Sequence, residues 1–149
     1  MWTKERFLNL HLVFIITGLW DIVLRMMSEG KISFLGIEKM KWVKTLKNYF
    51  EKHTVLSAAL LAGFVGALCY ILYIYTIDTF KLKLNNYYSL ILTLFLSGII
   101  GIPMRYSGLF PVLNEHYYKP LGFTYSFITD SLSGVIVAIS LYLINNFIV

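Results

Sequence analysis

Residues 55–77 read VLSAALLAGFVGALCYILYIYTI, an apolar run with no charged side chain. An α-helix rises about 1.5 Å per residue, so about 20 residues of this kind cross the hydrocarbon layer of a bilayer. The run is too long for a barrel strand and lacks the alternation that a lumen-facing strand shows. Lipid offers backbone amides no other partner, so the run must be helical. Three further segments meet the same condition: Phe7 to Met27, Tyr87 to Met104 and Phe123 to Ile148. Charge, proline, glycine or the chain end bounds each of them. The expected fold is all-α, a four-transmembrane-helix bundle forming a single polytopic membrane domain over residues 1–149.

Composition agrees. The chain is 58% hydrophobic and 14% charged, against about 45–50% and 25% in a soluble domain. A water-soluble fold of this size could not hide so much apolar surface. Cys69 is the single cysteine, which excludes an intrachain disulfide. Lys4 and Arg6 stand before the first run in the manner of a secretory signal. That run is too long for one and no small-residue cleavage pattern follows it, so a retained signal-anchor helix is expected. The net charge of +5 comes mostly from lysine in the first loop. Such a patch suits an anionic membrane surface, and without a soluble basic module no nucleic acid is expected as a partner.

Within that first loop, residues 36–53 carry apolar side chains at Ile37, Met40, Val43, Leu46 and Phe50, a helical spacing. Lys39, Lys41, Lys44, Lys47 and Lys52 fill much of the remainder. This is a basic amphipathic helix, expected to lie at the interface between spans one and two, apolar side down, with its lysines toward anionic lipid or a partner protein. A standing extension of the second span is the alternative. Four spans put both termini on one side, with Lys4, Arg6, Lys81 and Lys83. Lys31, the five helix lysines, Lys119, Arg25 and Arg105 lie on the other. The positive-inside rule makes the richer side cytoplasmic and the termini lumenal or exterior. Tyr73, Tyr75, Tyr87 and Tyr88, and on the opposite side Trp42, Tyr106, Tyr117 and Tyr118, are expected as interfacial belts.

Charged groups within a span cost several kcal/mol and normally face the bundle interior. Asp21 and Arg25 stand one turn apart near the end of span one, where their side chains can meet. Asp130 lies at a matching depth in span four, and Arg105 ends span three on the same side, after Pro103, which is expected to kink or end that helix. An interhelical ion-pair network of Asp21, Arg25, Arg105 and Asp130 is the leading expectation. A substrate or proton site is its rival, and snorkelling arginines are a third reading. Thr129, Ser131 and Ser133 are candidates to hydrogen-bond the Asp130 carboxylate or, equally, their own helix carbonyls. Small residues repeat every four positions at Ala58, Ala62 and Gly66, at Ser97 and Gly101, and at Gly134 and Ala138, marking close helix packing or a homodimer interface.

Signatures of catalysis are missing from the sequence. His11, His53 and His116 lack metal-ligand spacing, and no nucleophile elbow, phosphate loop or C-x-x-C pair occurs. No cofactor or metal is therefore expected. Trp20-Asp21, Gly98, Gly101, Asp130 and Ser133-Gly134 resemble the sparse pattern of a family of small four-helix integral membrane proteins found in bacteria and large DNA viruses. The family's usual aspartate in span three is absent, its place taken by Met104-Arg105-Tyr106-Ser107. The resemblance implies the four-helix fold and no activity. Ten lysines against three arginines fit an A/T-rich genome such as many of these viruses have. The leading functional expectation is a non-enzymatic component that organises a viral or host membrane, with lipid, a second copy, or another membrane or capsid protein as partner. The alternative is a small transporter or channel subunit built on Asp21 and Asp130. A lipid-modifying enzyme using Asp130 as a base is the weakest of the three.

Overall fold

The computed structural model describes residues 2–148, so Met1 and Val149 lie outside the described residues. In chain order the elements are α1 (Lys4–Ser28), a 3-10 turn (Ile37–Lys39), α2 (Lys41–Glu51), α3 (Val55–Thr79), α4 (Asn86–Tyr106), α5 (Pro111–Leu113), a π-helical turn (Asn114–Tyr118), α6 (Lys119–Leu121) and α7 (Phe123–Leu143), which runs on as a second π-helical turn (Ile144–Ile148). Four helices are long and apolar enough to cross a membrane: α1, α3, α4 and the stretch Phe123–Phe147. Their outer faces are apolar. Ile15, Leu19, Leu60, Phe64, Phe95 and Leu132 are all exposed, as a lipid-facing surface requires.

Polar residues set where three of these helices begin. Thr3 Oγ1 accepts the Arg6 amide, Thr54 Oγ1 the Ser57 amide and Asn85 Oδ1 the Tyr88 amide. Each bond occupies an amide that the first helical turn leaves without an intrahelical acceptor. At the opposite extreme of α3, Arg6 of α1 makes two contacts to Asp78, at 2.7 and 3.0 Å, tying the ends of the two helices together. Pro103 does not end α4, which continues to Tyr106. The proline removes one backbone bond, yet the Ser107 amide still closes on the Pro103 carbonyl at 2.8 Å.

Each long helix packs on its neighbours in sequence, α1 on α3, α3 on α4 and α4 on α7, and α7 closes the ring against α1. Glycine sets the spacing. A Cβ at Gly63 would stand 2.8 Å from the Phe14 carbonyl oxygen, and one at Gly66 would collide with Thr17, so α1 and α3 meet nearly backbone to backbone. On the other seam Gly98 faces Phe127 and Ser131, Gly101 faces Asp130, and Gly134 faces the backbone of Thr93 and Leu94. Apolar attraction between helices is weak in lipid, so close van der Waals contact of this kind holds such bundles together.

α2 is helical and amphipathic, as its spacing predicts, but its apolar side does not face lipid. Val43, Leu46, Tyr49 and Phe50 are buried against the end of the bundle, where they join Leu24, Met27, Leu113, Tyr117, Tyr118 and Leu121 in one core. The third loop is helical across residues 111–121 and packs against α2. Together they cap the end of the bundle opposite the chain termini. A second core, centred on Val13, Tyr70, Ile100, Val137 and Ile144, fills the half nearer the termini.

Gly134→Ala is expected to destabilise the bundle by about 1–3 kcal/mol, since the new methyl meets backbone atoms that cannot rotate away. Leu132→Ala, on the outer face, should do much less. Unfolding in a denaturing detergent series, followed by circular dichroism, measures both.

Candidate functional site

Between the two apolar cores lies an interior cavity of about 160 Å³ to which all four long helices contribute. Asp21 of α1 and Asp130 of α7 both line it. Around them are Trp20, Tyr49, Tyr117 and Tyr118, the hydroxyl residues Thr17, Ser97 and Ser133, and a mainly aliphatic remainder that includes Leu24, Leu61, Val65, Met104 and Val137. The equal depth of the two aspartates thus becomes a shared chamber, roofed by Leu46 and Tyr49 from α2 and by Leu113, Tyr117 and Tyr118 from the third loop.

The arginines do not join them, and the expected ion-pair network is absent. Arg25 turns toward the bundle end. Its Nε lies 3.4 Å from Glu29 Oε1, its Nη1 donates to the His53 carbonyl at 3.0 Å, and its guanidinium lies 5.7 Å from the Phe50 ring centroid. Glu29 and the peptide at His53 lie near the interface and offer Arg25 more acceptors than Asp21 does. Arg105 and Asp130 line a narrow cleft of about 10 Å³ between α4 and α7. There the guanidinium donates to Ser126 Oγ at 2.7 Å and stacks near Phe123 and Tyr106. Among the described residues no ion pair links either carboxylate to an arginine.

Ser97, Ser133 and Thr129 bond backbone carbonyls near Asp130, while the Tyr117 and Tyr118 hydroxyls approach its carboxylate. Ser97 and Ser133 both stand 2.6 Å from the Asp130 carbonyl oxygen and 2.8 Å from each other. With one proton apiece they make two of these three bonds at a time. Ser97 thereby joins α4 to α7 at the level of the carboxylate. Thr129 donates to the Ser126 carbonyl at 3.0 Å and pairs with the Tyr117 hydroxyl at 2.6 Å. The Asp130 carboxylate itself rests on Gly101, where any side chain would displace it.

Tyr117 and Tyr118 are assigned by sequence to an interfacial belt, yet both are buried, at 6% and 2% exposure. Helical spacing of Leu113, Tyr117 and Leu121, in a segment that Pro111 opens, is the signal that marks this inward face. Trp20 and Tyr49 carry no sequence signal of their own beyond neighbouring Asp21 and lying on the apolar side of α2. Tyr75, Tyr87, Tyr88 and Tyr106 are exposed, as a belt requires. Lys39, Lys41, Lys44, Lys47 and Lys52 are all exposed on the outside of the cap.

A second, larger cavity of about 800 Å³ opens among the helix ends near the termini. Arg6, Asp78, Asn9, Tyr70, Tyr73 and Ser89 contribute its polar lining. The Tyr73 and Ser89 hydroxyls pair at 2.8 Å, while the buried Asn9 Oδ1 has no hydrogen-bond partner among the described residues. Val13, fully buried, lies one helical turn from Asn9 in this funnel and one turn from Thr17 in the inner chamber. On α1, Val13 therefore stands between the two spaces.

Comparison with known proteins adds no relative: no family model, curated protein or solved structure matches the chain.

Burial holds the Tyr117 and Tyr118 hydroxyls above the ordinary tyrosine range, with the Asp130 charge adding to the effect. Burial, and then the Asp21 charge, does the same for Tyr49. A docked tyrosine keeps a proton that an undocked one loses above pH of about 10. The stability these groups lend the cap is therefore complete below that pH and is lost as pH rises beyond it. Tyrosinate absorbance from these residues should appear only together with loss of the near-ultraviolet dichroism, and Tyr118→Phe should shift that loss to higher pH.

Proposed function

We propose that the chain is a multi-pass membrane protein acting as a small transporter or channel subunit, in which Asp21 and Asp130 accept a cation inside the bundle. The observation that carries this reading is that both carboxylates line one chamber while the nearby arginines bond elsewhere. Acids inside a span that no arginine neutralises are costly, and they mark ion or substrate paths. The funnel at the far end of the bundle, with Val13 of α1 between it and the chamber, supports a route with two approaches. Four spans are few for a complete pathway, so a homodimer is the working unit. The lysine-rich cap faces the cytoplasm in this reading and the termini face the lumen or exterior. Asp130→Asn should lower cation flux into proteoliposomes at least about tenfold while helical content and monodispersity stay unchanged. Undiminished flux through that variant would refute the reading.

A second reading, that the protein organises a cellular or viral membrane, is favoured by the exposed lysines of the cap. Each such charge contributes about 1 kcal/mol near an anionic surface. Protein in neutral vesicles should then cluster anionic vesicles at low salt and release them at high salt. Replacing Lys41, Lys44 and Lys47 together with glutamine should abolish the effect; clustering that persists would count against it.

A further inference from the structure

We infer that the ligand of the Asp21–Asp130 chamber is a small methylated ammonium rather than an inorganic cation. The inference rests on the cation-accepting reading above and gives it a chemical class. Size comes first. A cavity of about 150 Å³ in a protein interior holds a benzene ring, so the chamber of about 160 Å³ suits a molecule of about six to eight heavy atoms.

The lining comes next. Trp20, Tyr49, Tyr117 and Tyr118 surround the same space as the two carboxylates. Aromatic faces attract cations, most strongly when both are out of water, and cages of this composition recognise alkylated ammonium groups. The aliphatic remainder of the wall matches the carbon of such a ligand and offers nothing to a hydrated ion.

Oxygen supply argues the same way. A hard inorganic cation gives up its water shell only for about six oxygen ligands. The hydroxyls here are engaged: Ser97 and Ser133 on the Asp130 carbonyl, Thr17 on the Val13 and Phe14 carbonyls, Tyr117 with Thr129, and Tyr118 at one edge of the Asp130 carboxylate. What remains for a guest is chiefly two carboxylates and aromatic surface. That set neutralises an ammonium whose charge is spread over carbon-bound hydrogens and cannot enclose a bare metal ion.

Choline and its uncharged carbon analogue, 3,3-dimethyl-1-butanol, have the same shape and differ in charge. Both would be titrated into the purified full-length protein by calorimetry, with tryptophan fluorescence as a second readout, alongside sodium and potassium. Choline should bind saturably and at least about tenfold more tightly than its neutral analogue. Asp21→Asn and Asp130→Asn should each weaken it by about tenfold or more, and Trp20→Leu by a smaller factor. Equal binding of charged and neutral probes, or choline binding indifferent to both aspartate substitutions in folded variants, would overturn the assignment. The two-probe comparison on the unaltered chain decides the matter if a variant does not fold. Asp130-dependent flux of sodium, potassium or protons without choline binding overturns the ammonium class alone. Absence of both removes the cation-accepting reading as well.

Discussion

Lipid cannot solvate a carboxylate, and the arrangement of this bundle follows from where it puts two of them. Asp21 and Asp130 come from helices that run in opposite directions, and at their common level both reach a space that all four long helices line. That polar layer divides the hydrophobic interior. One apolar core forms beneath the cap and another toward the termini. Neither acid pairs with Arg25 or Arg105; at Asp130 the Tyr117 and Tyr118 hydroxyls approach the carboxylate instead and offset part of the cost of burying it.

Close glycine contacts make this enclosure geometrically feasible. With Gly66 against Thr17 and Gly101 against the Asp130 side chain, the backbones approach closely beside the chamber. Ser97 then ties α4 to the Asp130 carbonyl, so the segment that bears the carboxylate is positioned by a neighbouring helix. Binding groups held by packed helices in this way are more tightly positioned than groups on loops.

The cap covers the chamber at the end of the bundle opposite the termini. Its two parts are far apart in sequence, α2 in the first loop and residues 111–121 in the third, yet they bury a common apolar face. One surface of α2 places Leu46 and Tyr49 over the chamber while its lysines remain exposed. A single amphipathic helix therefore serves both as roof and as the most basic surface of the described chain.

Apolar length alone determined the four spans, because a bilayer imposes one thickness on every crossing helix and leaves the backbone no other way to satisfy its amides. The depth of Asp21 and Asp130, the amphipathic character of α2 and the glycine and small-residue seams were legible for the same local reasons. Partner choice was not. Arg25 stands one turn from Asp21, a spacing that allows an ion pair, yet Glu29 and the His53 carbonyl hold it. Tyr117 and Tyr118 read as interfacial aromatics until the third loop folds into a helix that turns them inward. Spacing along a chain states which groups can meet. Which of them do meet depends on acceptors and apolar faces brought from distant segments, and only the folded bundle sets those side by side.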